Sequence, residues 1–240
     1  MSLKNLSNNL LIILIIVGIA ACSGTDPQHN KLTPKEKNNG YKLLFNGQNL
    51  DGWHSYLKNQ PGKAWSVKNG VIALNPKSGD NGDLVTNKEY QNFILKLEWK
   101  ISKGGNSGII FDVHEAPQFK QTYVTGPEMQ VLDNKNAEDN KKPSHLAGSL
   151  YDLVAASPTA AKPAGKWNKV KIKLQEGHLQ FWLNQKKVVD TQMWSKHWKK
   201  LVNGSKFKNW KGFAAYKKGH IALQDHGDPV WYRDIRIKTI

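Results

Sequence analysis

The stretch from Phe93 to Ile101 alternates strictly, with Phe93, Leu95, Leu97, Trp99 and Ile101 on one side and Ile94, Lys96, Glu98 and Lys100 on the other. A helix returns to the same side every 3.6 residues and cannot bury that set together, so the segment demands a sheet with one dry face and one wet face. The same grammar recurs along the chain. Trp65–Lys68 and Val71–Leu74 flank Asn69-Gly70, a pair suited to the positive φ of a two-residue hairpin turn. Val170–Leu174 and His178–Leu183 join through Glu176-Gly177, and Asn184-Gln185 turns the chain into Lys186–Val189. Only Trp194–Val202 reads as a helix, with Trp194, Trp198 and Leu201 at i, i+4 and i+7. So many short strands within about 200 residues predict an all-β, two-sheet antiparallel jelly-roll sandwich with one short helix, in preference to a small barrel.

The 240 residues contain a single cysteine, Cys22, which rules out an internal disulfide scaffold. Lys4 precedes the apolar run Leu10–Val17, and Ile19-Ala20-Ala21-Cys22 then resembles a bacterial lipobox. The run is shorter than the roughly 20 apolar residues that cross a bilayer. The expected organisation is therefore a lipoprotein signal peptide at 1–21, lipidation at Cys22, a flexible tether over 22–40 and one folded domain over 41–240. The expected location is the periplasmic face or cell surface of a Gram-negative-type bacterium, held by the lipid anchor in the membrane.

A net charge of +16 raises the question of nucleic acid. The cations are almost all Lys, dispersed over strands and loops, with Arg only at 233 and 236. That distribution suits a solvated surface, or one facing anionic lipid headgroups or glycans, and no nucleic-acid partner is expected.

Four segments carry chemistry in place of ordinary strand filler. In Gly104–Glu115, alternation sets Ile109, Phe111 and Val113 on one side and Ile110, Asp112 and His114 on the other, which would aim Asp112 and His114 together into a groove. In Gly126–Asp133, Glu128 and Gln130 share a face while Met129 and Val131 point to the core; a carboxylate there is costly without a partner or ligand. In His220–Asp228, Gln224 and His226 share a face opposite Ile221 and Leu223. The last strand, Val230–Ile237, bears both arginines; Arg233 suits either a ligand or a structural ion pair with Asp234, Asp225 or Glu128.

These motifs occur in a definite order: Leu44–Trp53, Gly105–Gly108, Gly126–Asp133, Gly148–Leu153, Lys166–Asn168, and Ile221–Gly227 with Arg233–Ile237. The ordered set, spanning residues 41 to 240, resembles the 3-keto-disaccharide hydrolase family, formerly a domain of unknown function. Asp234 departs from it, since Asn is the more usual residue at that position. The resemblance implies a concanavalin A-like jelly roll with a sugar groove on its concave face, in exported proteins of glycan-degrading bacteria. It also implies cleavage of glycosides already oxidised to the ketone at C3, by elimination across C1–C2 and often with subsequent hydration. A functional link to a sugar 3-oxidoreductase follows, and no organic cofactor is expected.

Such chemistry needs a base for the acidified C2 proton, a donor at the C3 oxygen and an acid for the leaving group. Glu128 and His226 are the candidates for base and acid, with the order between them left open. Asn106, His114, Gln130, Asp133, Gln224 and Arg233 are candidates to bind the sugar, and Tyr151, Trp231 and Trp53 offer rings for stacking. Asp112, His114, Glu128, Asp133, His145 and His226 leave a divalent cation possible. Two other readings stay open. One is an ordinary glycoside hydrolase of the glucanase-like fold using Glu128 and Asp133. The other is a non-catalytic carbohydrate-binding module.

Overall fold

The computed structural model describes residues 29–240. The expected signal peptide, Cys22 and the first part of the expected tether lie outside the described residues. Thirteen strands follow in chain order: β1 (Lys42–Leu43), β2 (Trp53–Ser55), β3 (Trp65–Lys68), β4 (Val71–Leu74), β5 (Leu84–Thr86), β6 (Phe93–Ile101), β7 (Asn106–Val113), β8 (Glu128–Leu132), β9 (Asn168–Gln175), β10 (His178–Leu183), β11 (Lys186–Gln192), β12 (His220–Leu223) and β13 (Val230–Thr239). They form two sheets. The larger runs β11-β10-β9-β6-β13-β4-β3, with β1 also on β13, and the smaller runs β2-β5-β12-β7-β8. Every strand pair is antiparallel, as the alternating patterns predict.

The core is where the inner faces meet. Phe93, Leu95, Leu97, Trp99 and Ile101 of β6 are all buried, and β7 contributes Ile109 and Phe111 from the facing sheet. Phe111 is the rivet between layers: its ring meets Phe93 at 6.3 Å and Phe181 at 6.0 Å, both edge-on, the geometry that the ring quadrupole favours. The three predicted hairpins close as expected, with positive φ at Asn69 and Gly70, at Glu176 and Gly177, and at Asn184 and Gln185.

Three local expectations need correction. Helix α2 spans Lys196–Asn203, starting later than predicted because the Ser195 hydroxyl accepts the Trp198 N–H and caps it, leaving Trp194 outside with φ +62°. In β7 the face pattern breaks at Asp112, whose φ is +54° where the β7–β12 register shifts. This bulge moves Val113 out of the main core into a small cluster with Ile110, Val85 and Ala222, so Ile110 and Val113 share a side that strict alternation denies them.

The third correction concerns residues 29–39, expected to be tether. They are docked on the larger sheet. The Asn30 N–H donates to Asp234 Oδ1 (2.6 Å), its side chain donates to the Gly70 carbonyl (2.8 Å), and the Asp234 N–H returns a bond to Asn30 Oδ1 (2.9 Å). A short helix, α1 (Pro34–Asn38), follows with a capping box between Thr33 and Glu36, and Glu36 pairs with Arg236 at 2.9 Å. The docking is polar, so no apolar periodicity announces it. It also employs the departure at Asp234, which sits at φ +57°, a conformation that Asn and Asp tolerate better than most residues.

Phe111→Ala is expected to lower the unfolding free energy by about 3–5 kcal/mol, since the ring is fully buried between two sheets that cannot both collapse into the gap. Urea denaturation followed by tryptophan fluorescence measures it.

Candidate active site

Because Phe111 and Ile109 point inward, the alternate residues of β7 point outward from the smaller sheet. Register then recruits the neighbours: Gly108 faces Gln130 and Ile110 faces Glu128 across β8, while the Gln224 N–H bonds the Gly108 carbonyl at 3.0 Å just beyond β12. Asn106, Glu128, Gln130, Gln224 and His226 accordingly line one groove of about 500 Å³. Its walls come from loops: Gln121, Tyr123, Asp139, Tyr151, Lys206 and Trp210. A larger groove of about 920 Å³ lies at the sheet edge between Leu43, Tyr90 and Lys218, but its carboxylates are Asp51 and a Glu89 already paired with Lys218. The smaller groove is the one that collects acid, base and amide groups.

Gly108 is what lets Glu128 lie where it does. A Cβ at that position would stand 2.1 Å from Glu128 Oε1, so the carboxyl crosses β7 over a residue with no side chain. The cost of that position is desolvation. Glu128 is only 7% exposed, and its pKa is pushed up to about 8, first by burial and then by Asp83 and Asp139, with Lys206 opposing. Lys206 is shifted the other way; burial lowers it while Glu128, Asp152 and Asp139 hold it up. Its ammonium lies 4.2 Å from the Tyr151 ring centroid.

The amides beside Glu128 are unspent. Asn106 Oδ1, Gln224 Oε1 and both side-chain polar atoms of Gln130 are buried without a hydrogen-bond partner among the described residues. Buried polar atoms are rarely left so, and these converge on one cavity. Asn106 Nδ2 stands 3.5 Å from Nε2 of the exposed His226. Behind the groove a carboxyl of another kind holds the frame. Asp83, buried, accepts the Thr122 hydroxyl on one oxygen and the Asp225 N–H on the other (2.8 Å), clasping the Tyr123 loop to the strand end that carries Gln224 and His226. Burial raises its pKa to about 6. Across the groove, Tyr151 donates to Asp139 Oδ2 (2.8 Å), and His145 bridges Asp139 (2.6 Å) and Asp152 (2.9 Å).

Of the residues singled out in the sequence, Asn106, Glu128, Gln130, Tyr151, Gln224 and His226 meet in this groove. The others do not. His114 stacks on Tyr216 at 3.8 Å, displaced by the bulge at Asp112, whose own buried carboxyl has no hydrogen-bond partner among the described residues. Asp133 turns away to accept the Gly104 and Lys135 N–H groups and the Asn136 amide, which shapes the loop before β7 and removes it as a second catalytic carboxylate. Arg233 lies on the larger sheet, bonded to Glu98 at 2.8 Å and stacked on Trp167, a structural ion pair with a partner other than those expected. Trp231 is on that same outer face beneath Lys100. Trp53 is core, its indole N–H bound to the Leu44 carbonyl. The dispersal of Asp112, His114, Asp133 and His145 also dissolves the ligand set drawn from the sequence. Among the described residues, one group has metal-ligand spacing, His29, Glu98 and Asp234, and arginines already occupy both carboxylates. Lys206, Asp139, Asp83, Tyr123 and Trp210 were missed, since they come from loops where no period ties them to the site.

A jelly-roll sandwich with a buried acid and unpaired amides on one open sheet face defines a carbohydrate-active class of protein. Residues 40–238 match the 3-keto-alpha-glucoside-1,2-lyase-like domain. A 3-keto-disaccharide hydrolase of Bacteroides thetaiotaomicron is 36% identical over 228 residues, covering 84% of this chain and 79% of that protein. The crystal structure of a candidate glycosyl hydrolase from Parabacteroides distasonis superposes with a TM-score of 0.83 at 32% identity, covering 89% of this chain and all of that one. A Bacillus subtilis protein with a galectin-like fold shares the architecture, with a TM-score of 0.51 at 12% identity over 88% of this chain and 94% of that one. The chain belongs to the 3-keto-alpha-glucoside-1,2-lyase-like family.

A carboxyl that keeps its proton in the fold up to about pH 8 but loses it near 4.5 when unfolded makes the fold less stable as pH rises through that window. Glu128→Gln is therefore expected to match the wild type in stability at pH 4 and to exceed it by about 2–5 kcal/mol at pH 9, read as a difference in urea midpoint.

Proposed function

We propose that this protein cleaves glycosides bearing a ketone at C3 of the sugar, by elimination across C1 and C2 followed by addition of water. The observation that carries this reading is Glu128, a desolvated acid at the floor of a groove that also brings together unpaired amides, His226 and Lys206. Near neutral pH Glu128 keeps its proton, which suits it to act as the acid and leaves His226 as the base. His226 takes the C2 proton, and the C2–H electron pair passes into the enolate of the C3 ketone. Lys206 and the amides of Gln130 and Asn106 stabilise the oxygen that gains charge. The enolate then expels the C1 substituent, forming the C1–C2 double bond as Glu128 protonates the departing oxygen. Water adding to C1 returns a free 3-keto sugar. Tyr123 and Trp210 supply the rings against which a sugar packs.

The lone catalytic carboxyl favours elimination over retaining hydrolysis, which needs two carboxyl groups about 5 Å apart. The two other acids facing the groove are engaged, Asp139 with Tyr151 and His145 and Asp225 with the Gly82 and Gly227 N–H groups. The anchored location also belongs to this proposal: lipidation of Cys22 holds the enzyme at the bacterial envelope, close to an oxidoreductase that makes the ketone.

Purified protein incubated with a disaccharide and with its 3-keto form, with and without chelator, is expected to release sugar from the oxidised form alone. Mass spectrometry of the products reads this directly. Cleavage of the unoxidised sugar would convert the reading to ordinary glycoside hydrolysis, and binding without cleavage would leave a carbohydrate-binding module. Chelator sensitivity would add a divalent cation. Glu128→Gln and His226→Asn are each expected to lower kcat by about 10²–10⁴-fold with the fold intact, and the wild-type rate should fall on the alkaline side above about pH 8 as Glu128 loses its proton.

A further inference from the structure

The outer face of the larger sheet, opposite the groove, carries an arrangement of which the docking of α1 uses only one end and the chemistry above uses nothing. Five strands bring one row into register: Arg236 faces Lys96, Lys96 faces Lys171, Lys171 faces Trp182, and Trp182 faces Lys187. Like charges directly opposite one another destabilise a sheet, and β6 and β9 place two lysines so. Arg236 and Lys96 share Glu36, and Lys187 has Asp190. Lys171 and its same-face neighbour Lys173 have no carboxylate within ion-pair distance among the described residues. Lys171 instead lies 3.3 Å from the Trp182 ring centroid, and burial together with Lys96 and Lys173 lowers its pKa. Two rows further along, past Glu98 and its partners Arg233 and Lys169, Lys100 covers Trp231 and Trp167 at 4.6 and 5.2 Å. Half-buried tryptophans beneath unneutralised lysines, on a broad sheet face, match an interface that is apolar below and anionic above.

The chain enters the fold at this face. His29 Nδ1 is 2.6 Å from Asp234 on β13, and Cys22 lies seven residues earlier, a span of about 25 Å at most when fully extended. We infer that the outer face of the eight-stranded sheet is a docking surface for anionic lipid headgroups, which holds the domain against the bilayer with the groove turned outward. The orientation rests in part on lipidation of Cys22; the charge complementarity does not.

The full chain, produced in a bacterial host and extracted from its membrane, would be reconstituted on vesicles of phosphatidylcholine alone or with about a third phosphatidylglycerol. Amine-reactive footprinting then reads each lysine. The expected result is a labelling rate at Lys96, Lys171 and Lys173 at least about fivefold lower on anionic vesicles, reversed by about 0.5 M salt. Labelling of Lys120, beside Gln121 of the groove, should be unchanged. Lys171→Glu with Lys173→Glu should abolish the protection while leaving turnover in the groove intact. Equal labelling on both vesicles, or protection of Lys120 instead, overturns the proposal, as does protection by a soluble sulfated polysaccharide in place of vesicles. Intact mass reports the anchor separately. With Cys22 unmodified, the same protection on added vesicles still upholds the face, and its absence overturns it.

Discussion

The position of Phe111 governs the rest of the molecule. Wedged edge-on between Phe93 and Phe181, it ties the smaller sheet to the larger and fixes which side of β7 is dry. Period two then leaves no choice for its neighbours: Asn106, Gly108 and Ile110 must face out, and the β8 register carries Glu128 and Gln130 to the same side. A slip of one residue would bury Gln130 and Glu128 in the sandwich and hand Met129 and Val131 to solvent. The hydrophobic pattern that stabilises the domain therefore also specifies the polar floor of the groove.

That floor works against stability. Glu128 lies over a glycine, desolvated, and amides unpaired among the described residues surround it. Groups so placed weaken a fold until something binds them, which is the usual signature of a site shaped for a ligand. The unspent hydrogen bonds of Gln130, Asn106 and Gln224 match what a sugar offers, a dense array of hydroxyl groups.

The sheets and the floor were legible in the sequence because both follow from alternation over β6, β7, β8 and β12. Glu128, Gln130, Gln224 and His226 could be placed on one side by counting in twos. What failed did so where the alternation breaks or where the strand belongs to the other sheet, as with Trp231 and Arg233 on β13. Asp112, in the left-handed region, throws His114 out of phase, and Asp133 points along a direction set by loop closure. Lys206, Asp139 and Trp210 reach the groove from connections whose path depends on packing of the whole domain. The docking of residues 29–39 was hidden for a related reason: it is an exchange of backbone and amide hydrogen bonds with Asp234, invisible to hydropathy.

Asp83 lines no part of the cavity, yet one carboxyl clasps the Thr122 hydroxyl and the Asp225 backbone, and so joins two walls that are distant in the chain. In a library that varies every position, residue 83 should cluster with the groove residues in its tolerance profile, because no apolar side chain can meet both the Thr122 hydroxyl and the Asp225 N–H. Engineering of new sugar specificity in this scaffold would have to treat it as part of the binding surface, although no ligand touches it.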